Sequence, residues 1–159
     1  MKIEVGRRGF LALGVSTAFA PAAACAQSAR TYAMSVRRDP SCGCCHTWTA
    51  VMQRTGRFRT TMTDEANMAA LKQRLGVPAD LASCHTSEVE GYVIEGHVPA
   101  REILRLLSER PDIRGLAVAG MPIGSPGMEA PDVPDDGYDV IAFSRDGRRS
   151  VYARYEPGA

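Results

Sequence analysis

The chain has no excess of either charge, with 19 Lys and Arg against 18 Asp and Glu. It has no internal repeat, no low-complexity tract, and no apolar run of the ~20 residues that a membrane-spanning helix needs. Balanced charge excludes steering toward nucleic acid or an anionic membrane surface. The lack of repeats leaves an ordinary single domain. Histidine is also scarce, at three residues, and five cysteines are spread very unevenly.

The longest apolar stretch runs from Phe10 to Ala24 behind Arg7-Arg8. A positive n-region, a short apolar core and a small-residue exit make a signal peptide over residues 1–26. The Arg pair followed by Phe10-Leu11 resembles a twin-arginine export signal, and Ala24-Cys25-Ala26 fits an A-x-A cleavage site. Ala23-Ala24-Cys25 also resembles a lipoprotein box, with Ala22 where Leu is usual, so lipidation of Cys25 is the alternative. Apart from that anchor, no membrane association is expected beyond export. Three of the basic and one of the acidic residues fall in this segment, which leaves residues 27–159 near net charge −1. That stretch is long enough for one domain with its own core.

Alternation of Tyr32, Met34 and Val36 predicts a first strand, and Trp48, Val51 and Met52 a helix closed by Gly56. Phe58, Thr60 and Met62 give a second strand. Asp64 is positioned to cap a helix carrying Met68, Leu71 and Leu75, which stops at Gly76. Two short strands, Thr86–Val89 and Tyr92–Glu95, turn at Glu90-Gly91. Pro99 then opens a helix with Ile103, Leu104, Leu106 and Leu107 on its core face. The expected fold is therefore α/β, in the thioredoxin-like order β-α-β-α-β-β-α over about residues 31–112. A Pro-rich loop over 115–137 follows, and then an appended hairpin over 138–155 around Asp146-Gly147.

Cysteines are expected in an exported protein to form disulfides first, yet Cys42, Cys44 and Cys45 lie within four residues, with Cys84 apart. Cys42-Gly43-Cys44-Cys45 is a C-x-x-C carrying an extra thiol. At a helix start, free N–H groups and the helix dipole favour the thiolate and lower the pKa of Cys42. Thiolate is both redox nucleophile and metal ligand, so the cluster signals either role. If the pair is redox-active, Cys42 and Cys45 are the exchanging residues. In thioredoxin-like proteins the residues before the third strand face the C-x-x-C, and Ser83-Cys84-His85 stands there. With a two-residue turn at Glu90-Gly91, paired positions place Cys84 opposite His97 and His85 on the other face. His46 completes the set, so every histidine adjoins a cysteine motif. Met121 and Met128 lie in a Gly/Pro-rich loop with no helical face to pack. Thiolate, imidazole and thioether together favour Cu(I), with zinc on a Cys3His or Cys2His2 set as the competitor. The number of soft donors exceeds the need of one tetrahedral ion and points to more than one copper.

These motifs, with Trp48, Leu75-Gly76-Val77-Pro78, Ser83-Cys84-His85-Thr86, Tyr92 to Pro99 and Gly120-Met121-Pro122 to Gly127-Met128-Glu129, resemble the CopG-type copper-resistance proteins. That exported metal-binding family was long filed as a domain of unknown function. The resemblance covers about residues 32–129. It implies a thioredoxin-like domain, a periplasmic location, copper binding, and a link to other copper-handling proteins, with oxidoreductase turnover left open. The ligands it implies are Cys42, Cys44, Cys45, Cys84, His85 and His97, followed by Met121 and Met128. His46 and the C-terminal hairpin lie outside the pattern. Two other functions stay open: a thiol–disulfide oxidoreductase and a zinc-stabilised binding module.

Overall fold

The computed structural model describes residues 30–158, so the expected export signal, Cys25 included, lies outside them. Alternating side chains form β1 (Tyr32–Arg38), which buries Met34 and Val36, and β2 (Phe58–Asp64). The 11-residue helix α1 (Cys44–Arg54) joins them, and the two strands pair in parallel from Tyr32↔Phe58 to Arg38↔Asp64. Gly56 and Gly76 adopt left-handed φ values of 67° and 77°, a conformation that ends helices at little cost only for residues such as glycine.

Helix α2 (Met68–Leu75) starts later than the sequence suggested. Asp64 stays extended at the end of β2, where it meets Arg38 at 2.9 Å, and Asn67 caps α2 by accepting the Ala70 N–H. Strands β3 (His85–Val89) and β4 (Tyr92–Glu95) follow. Glu90 and Gly91 both have positive φ, the requirement of a type I′ hairpin turn. The resulting register, Thr86↔Glu95 to Val89↔Tyr92, is the one expected from a two-residue turn. Helix α3 (Ala100–Glu109) opens behind Pro99 and buries Ile103, Leu106 and Leu107. The order β-α-β-α-β-β-α is thus present.

The segment after α3 differs from expectation. Gly115–Ala117 is not loop but a strand, β5, parallel to β4 and antiparallel to β6 (Tyr138–Phe143). The hairpin of β6 and β7 (Arg149–Tyr155) therefore continues the central sheet instead of being appended to it. The described residues form one seven-stranded sheet in the order β2-β1-β3-β4-β5-β6-β7. A Cβ at Gly115 would lie within 1.8 Å of the Val93 carbonyl oxygen, so only glycine lets β5 approach β4 there. One face of the sheet packs Ile94 and Leu116 against Trp48 and Met52 of α1 and Ile103 and Leu106 of α3. The other packs Val93, Ala117 and Phe143 against Leu75, Val77 and Leu81 at the end of α2 and beyond it.

Candidate metal centre

The cysteine loop is shaped by its polar neighbours. Asp39 Oδ1 accepts from the Ser41 N–H and hydroxyl, at 2.8 and 2.5 Å, and the Cys42 N–H donates to the Asp39 carbonyl at 3.0 Å. Arg38 at the end of β1 donates to the Cys42 carbonyl at 2.8 Å. Gly43 occupies the N-cap of α1 without a side-chain cap, so the thiols stand at the helix start, as expected. Cys42 and Cys45 are joined as a disulfide, whereas Cys44 and Cys84 are free and half-buried. While that bond is intact, neither Cys42 nor Cys45 carries a thiolate.

The sulfurs converge from both sides. Cys44 Sγ lies 3.4 Å from Cys42 Sγ and 3.6 Å from Cys84 Sγ, and Cys45 Sγ is also 3.6 Å from Cys84. Cys84 is the hinge of the arrangement. Its sulfur stands 3.3 Å from His85 Nδ1 and 3.3 Å from His97 Nε2. Two overlapping donor groups result: Cys42, Cys44, Cys45 and Cys84, and then Cys84, His85 and His97.

Cys84 meets His97, but His85 does not lie on the opposite face as expected. Strict alternation would place His97 beside Glu95 and Thr86, whose side chains hydrogen-bond each other at 2.7 Å. Gly96, with φ of 70°, ends the alternation just past β4. His97 arrives instead beside His85, with ring centroids 5.1 Å apart, and the Trp48 ring covers His85 at 4.5 Å. Trp48 is itself anchored by donating to the Val98 carbonyl at 3.1 Å.

The loop after β5 closes the site. Met121 is half-exposed, and its sulfur lies 3.7 Å from Cys44 Sγ. The Pro126 carbonyl accepts from His97 Nδ1 at 2.9 Å. That bond fixes the tautomer, because a carbonyl only accepts, and leaves the Nε2 lone pair directed at Cys84. Met128 is held in the loop by backbone bonds to Gly124 and Ser125, and no hydrogen-bond-range contact among the described residues joins its sulfur to the cluster. His46 is exposed on α1.

Burial disfavours the charged forms of Cys84, His85 and His97. Burial pushes the Cys84 thiol up to about 12, helped by the neighbouring Cys44. Burial lowers His85 to about 3, with His97 and Lys72 adding to the shift, and burial likewise lowers His97. Neutral imidazoles keep the lone pairs that a metal needs, and His85 Nε2 is buried without a partner. A soft cation offsets the cost of ionising buried thiols, since it lowers the pKa of any thiol that coordinates it. Tetrahedral sites with bonds of roughly 2.0–2.3 Å have donor–donor edges of about 3.3–3.8 Å. The spacings of 3.3–3.6 Å around Cys84 fall in that range.

The family model described as "Protein of unknown function, DUF411" matches residues 81–128. A solved structure called "Copper resistance protein copG- Form 1" is 47% identical, with a TM-score of 0.74, over 80% of this chain and 99% of that one. The chain belongs to the CopG copper-resistance family. A second CopG structure, "Form 2", is 48% identical over 79% of this chain and 99% of that one, also at a TM-score of 0.74. No curated protein matches. The segment matched by the family model holds Cys84, His85, His97, Met121 and Met128, while the Cys42–Cys45 cluster precedes it. Pattern reading missed the Pro126 carbonyl, because a backbone oxygen carries no periodicity, and gave Ser83 no role beyond its place before Cys84. Trp48 reads from the sequence as a helix residue and as one of the residues carrying the resemblance, but only the packing reveals that its ring lies on His85.

Proposed function

We propose that the protein binds Cu(I) for copper resistance, holding more than one ion on Cys42, Cys44, Cys45, Cys84, His85 and His97, with Met121 on the solvent side. The observation that carries this reading is the position of Cys84, whose sulfur lies at ligand-like spacing from two other sulfurs and two imidazoles. A shared thiolate can bridge ions, and thiolate with imidazole and thioether suits Cu(I) better than zinc. With the disulfide closed, Cys44, Cys84, His85, His97 and Met121 are the available donors; reduction adds two thiols. Met128 joins only by movement of its loop. The twin-arginine-like signal supports a periplasmic location, where other copper-handling proteins would be its partners.

The Cys42–Cys45 disulfide favours a second reading, in which the pair exchanges electrons with a protein thiol and any metal is incidental. Cys44 separates the two. Mature protein reduced with a thiol-free reductant is loaded anaerobically with Cu(I), desalted, and analysed for metal. More than one copper per chain is expected, and Cys44→Ser and Cys84→Ser each lose copper by more than ~100-fold in affinity while remaining folded by circular dichroism. Unchanged copper binding in both variants, with dithiol activity intact in Cys44→Ser, would transfer the case to the oxidoreductase.

A further inference from the structure

The residues immediately before three donors touch one another. Ser83 precedes Cys84, Gly96 precedes His97 and Gly120 precedes Met121. The Ser83 hydroxyl donates to the Gly120 carbonyl. Gly96 packs so tightly on Ser83 that a Cβ there would lie 2.6 Å from the serine Cβ and Oγ. The Ser83 N–H donates to Glu95 Oε1 at 2.6 Å. That carboxylate is fully buried, takes Lys72 Nζ at 2.5 Å on the same oxygen, and takes the Thr86 hydroxyl at 2.7 Å on the other.

We propose that Ser83, held by the buried Glu95–Lys72 pair, is the positioning residue that sets Cys84, His97 and Met121 relative to one another. This rests on the copper reading above. The pair is a poor candidate for a purely stabilising device, since buried ion pairs replaced by apolar residues of similar volume are often neutral or stabilising. Its position has a clearer use. The carboxylate sits on the sheet face opposite His85 and fixes the backbone of the one residue that bonds or packs against the other two donor segments. Burial raises the Glu95 pKa, and the Lys72 ammonium and the hydrogen bonds from Lys72, Thr86 and Ser83 oppose the shift. Glu95 and Lys72 reach no donor atom, so their effect passes through backbone placement, and the hydroxyl of the Ser83 they hold also lies 3.9 Å from Cys84 Sγ.

The test uses the mature, reduced, full-length chain. Cu(I) affinity is read by competition with a chromogenic Cu(I) chelator, and Cys84 accessibility by iodoacetamide alkylation of metal-free protein, mapped by mass spectrometry. Ser83→Ala is expected to weaken Cu(I) affinity ~10–100-fold, the range for groups that orient ligands, with several-fold faster alkylation of Cys84. Met121→Leu should then add little in the Ser83→Ala background; full additivity overturns the proposal. Lys72→Met with Glu95→Leu removes the charges without leaving either one unpaired. It is expected to lose affinity as Ser83→Ala does, while Glu95→Gln in the same Lys72→Met background restores an acceptor and recovers the loss. Equal Cu(I) affinity and equal alkylation in all variants overturns the positioning role. Wild-type protein that binds no Cu(I) refutes the proposed function instead, and the alkylation rates then decide the positioning role by themselves.

Discussion

Replacing Gly127 by Ala tests how the loop after β5 is fastened to the site. Gly127 has φ of 85°, and a Cβ on it would lie 2.6 Å from the Trp48 nitrogen and 2.9 Å from its Cα. Those atoms belong to the backbone of α1 and cannot rotate away, so the loop must lift. Left-handed backbone costs an alanine about 1–2 kcal/mol. Lifting breaks the 2.9 Å bond from His97 Nδ1 to the Pro126 carbonyl and leaves a buried donor unpaired, another ~1–3 kcal/mol. The expected loss is about 2–5 kcal/mol, or roughly 8–20 °C in the melting temperature for a domain of this size. The assay is thermal unfolding of metal-free protein by circular dichroism, with nitrogen NMR of the His97 ring. The ring should lose its fixed Nδ1–H tautomer in the variant. Melting within two degrees of wild type, with the His97 tautomer intact, would refute the account of the loop.

The buried histidines give the metal-free protein a pH dependence of definite sign. The folded values of His85 and His97 lie below the ordinary value of 6.5, so the unfolded chain binds more protons and stability falls as pH drops below about 6.5, continuing toward about 3 for His85. The slope approaches ~1.4 kcal/mol per pH unit for each histidine, and the raised pKa of Glu95 offsets part of it at the acid end. Urea unfolding at pH 7 and pH 5 checks this, and equal stabilities would contradict it. The sole tryptophan offers a direct signal, since Trp48 packs against His85 with ring centroids 4.5 Å apart and planes tilted by 46°. Its fluorescence should change on Cu(I) addition and keep its metal-free value in His85→Phe; an unresponsive wild-type signal in copper-loaded protein would show that His85 stays clear of the ion.

Much of the first half of the chain could be read because local chemistry decided it. Positive-φ positions at Gly56, Gly76 and Gly91 closed the elements where the sequence placed them, and the Glu90-Gly91 turn fixed the β3–β4 register. That register brings Cys84 and His97 to the same end of the sheet, and the left-handed Gly96 then turns His97 toward Cys84 and His85. Three features escaped. β5 is a Gly-Leu-Ala segment too short to show a period, and it is a strand because β4 and β6 both pair with it. The start of α2 moved from Asp64 to Asn67 because Arg38 in the neighbouring strand holds Asp64 extended. His85 joined the cluster because Gly96 broke the alternation at its own residue, a backbone event that a polar–apolar pattern cannot register.

The strand order has a consequence for how the centre moves. β3 and β4 are third and fourth of seven, flanked on each side by other strands, so the backbone leading into Cys84, His85 and His97 lies in the middle of the hydrogen-bonded ladder. Such amides exchange with solvent only through large, cooperative openings, whereas loop amides exchange through local ones. The donors therefore divide by timescale: an imidazole–thiol half as persistent as the fold, and a thioether on a loop outside the ladder that can leave and return while the rest stays in place. In a hydrogen-exchange experiment the two halves would separate into slow and fast populations, with the fast one on the side from which an ion arrives and departs.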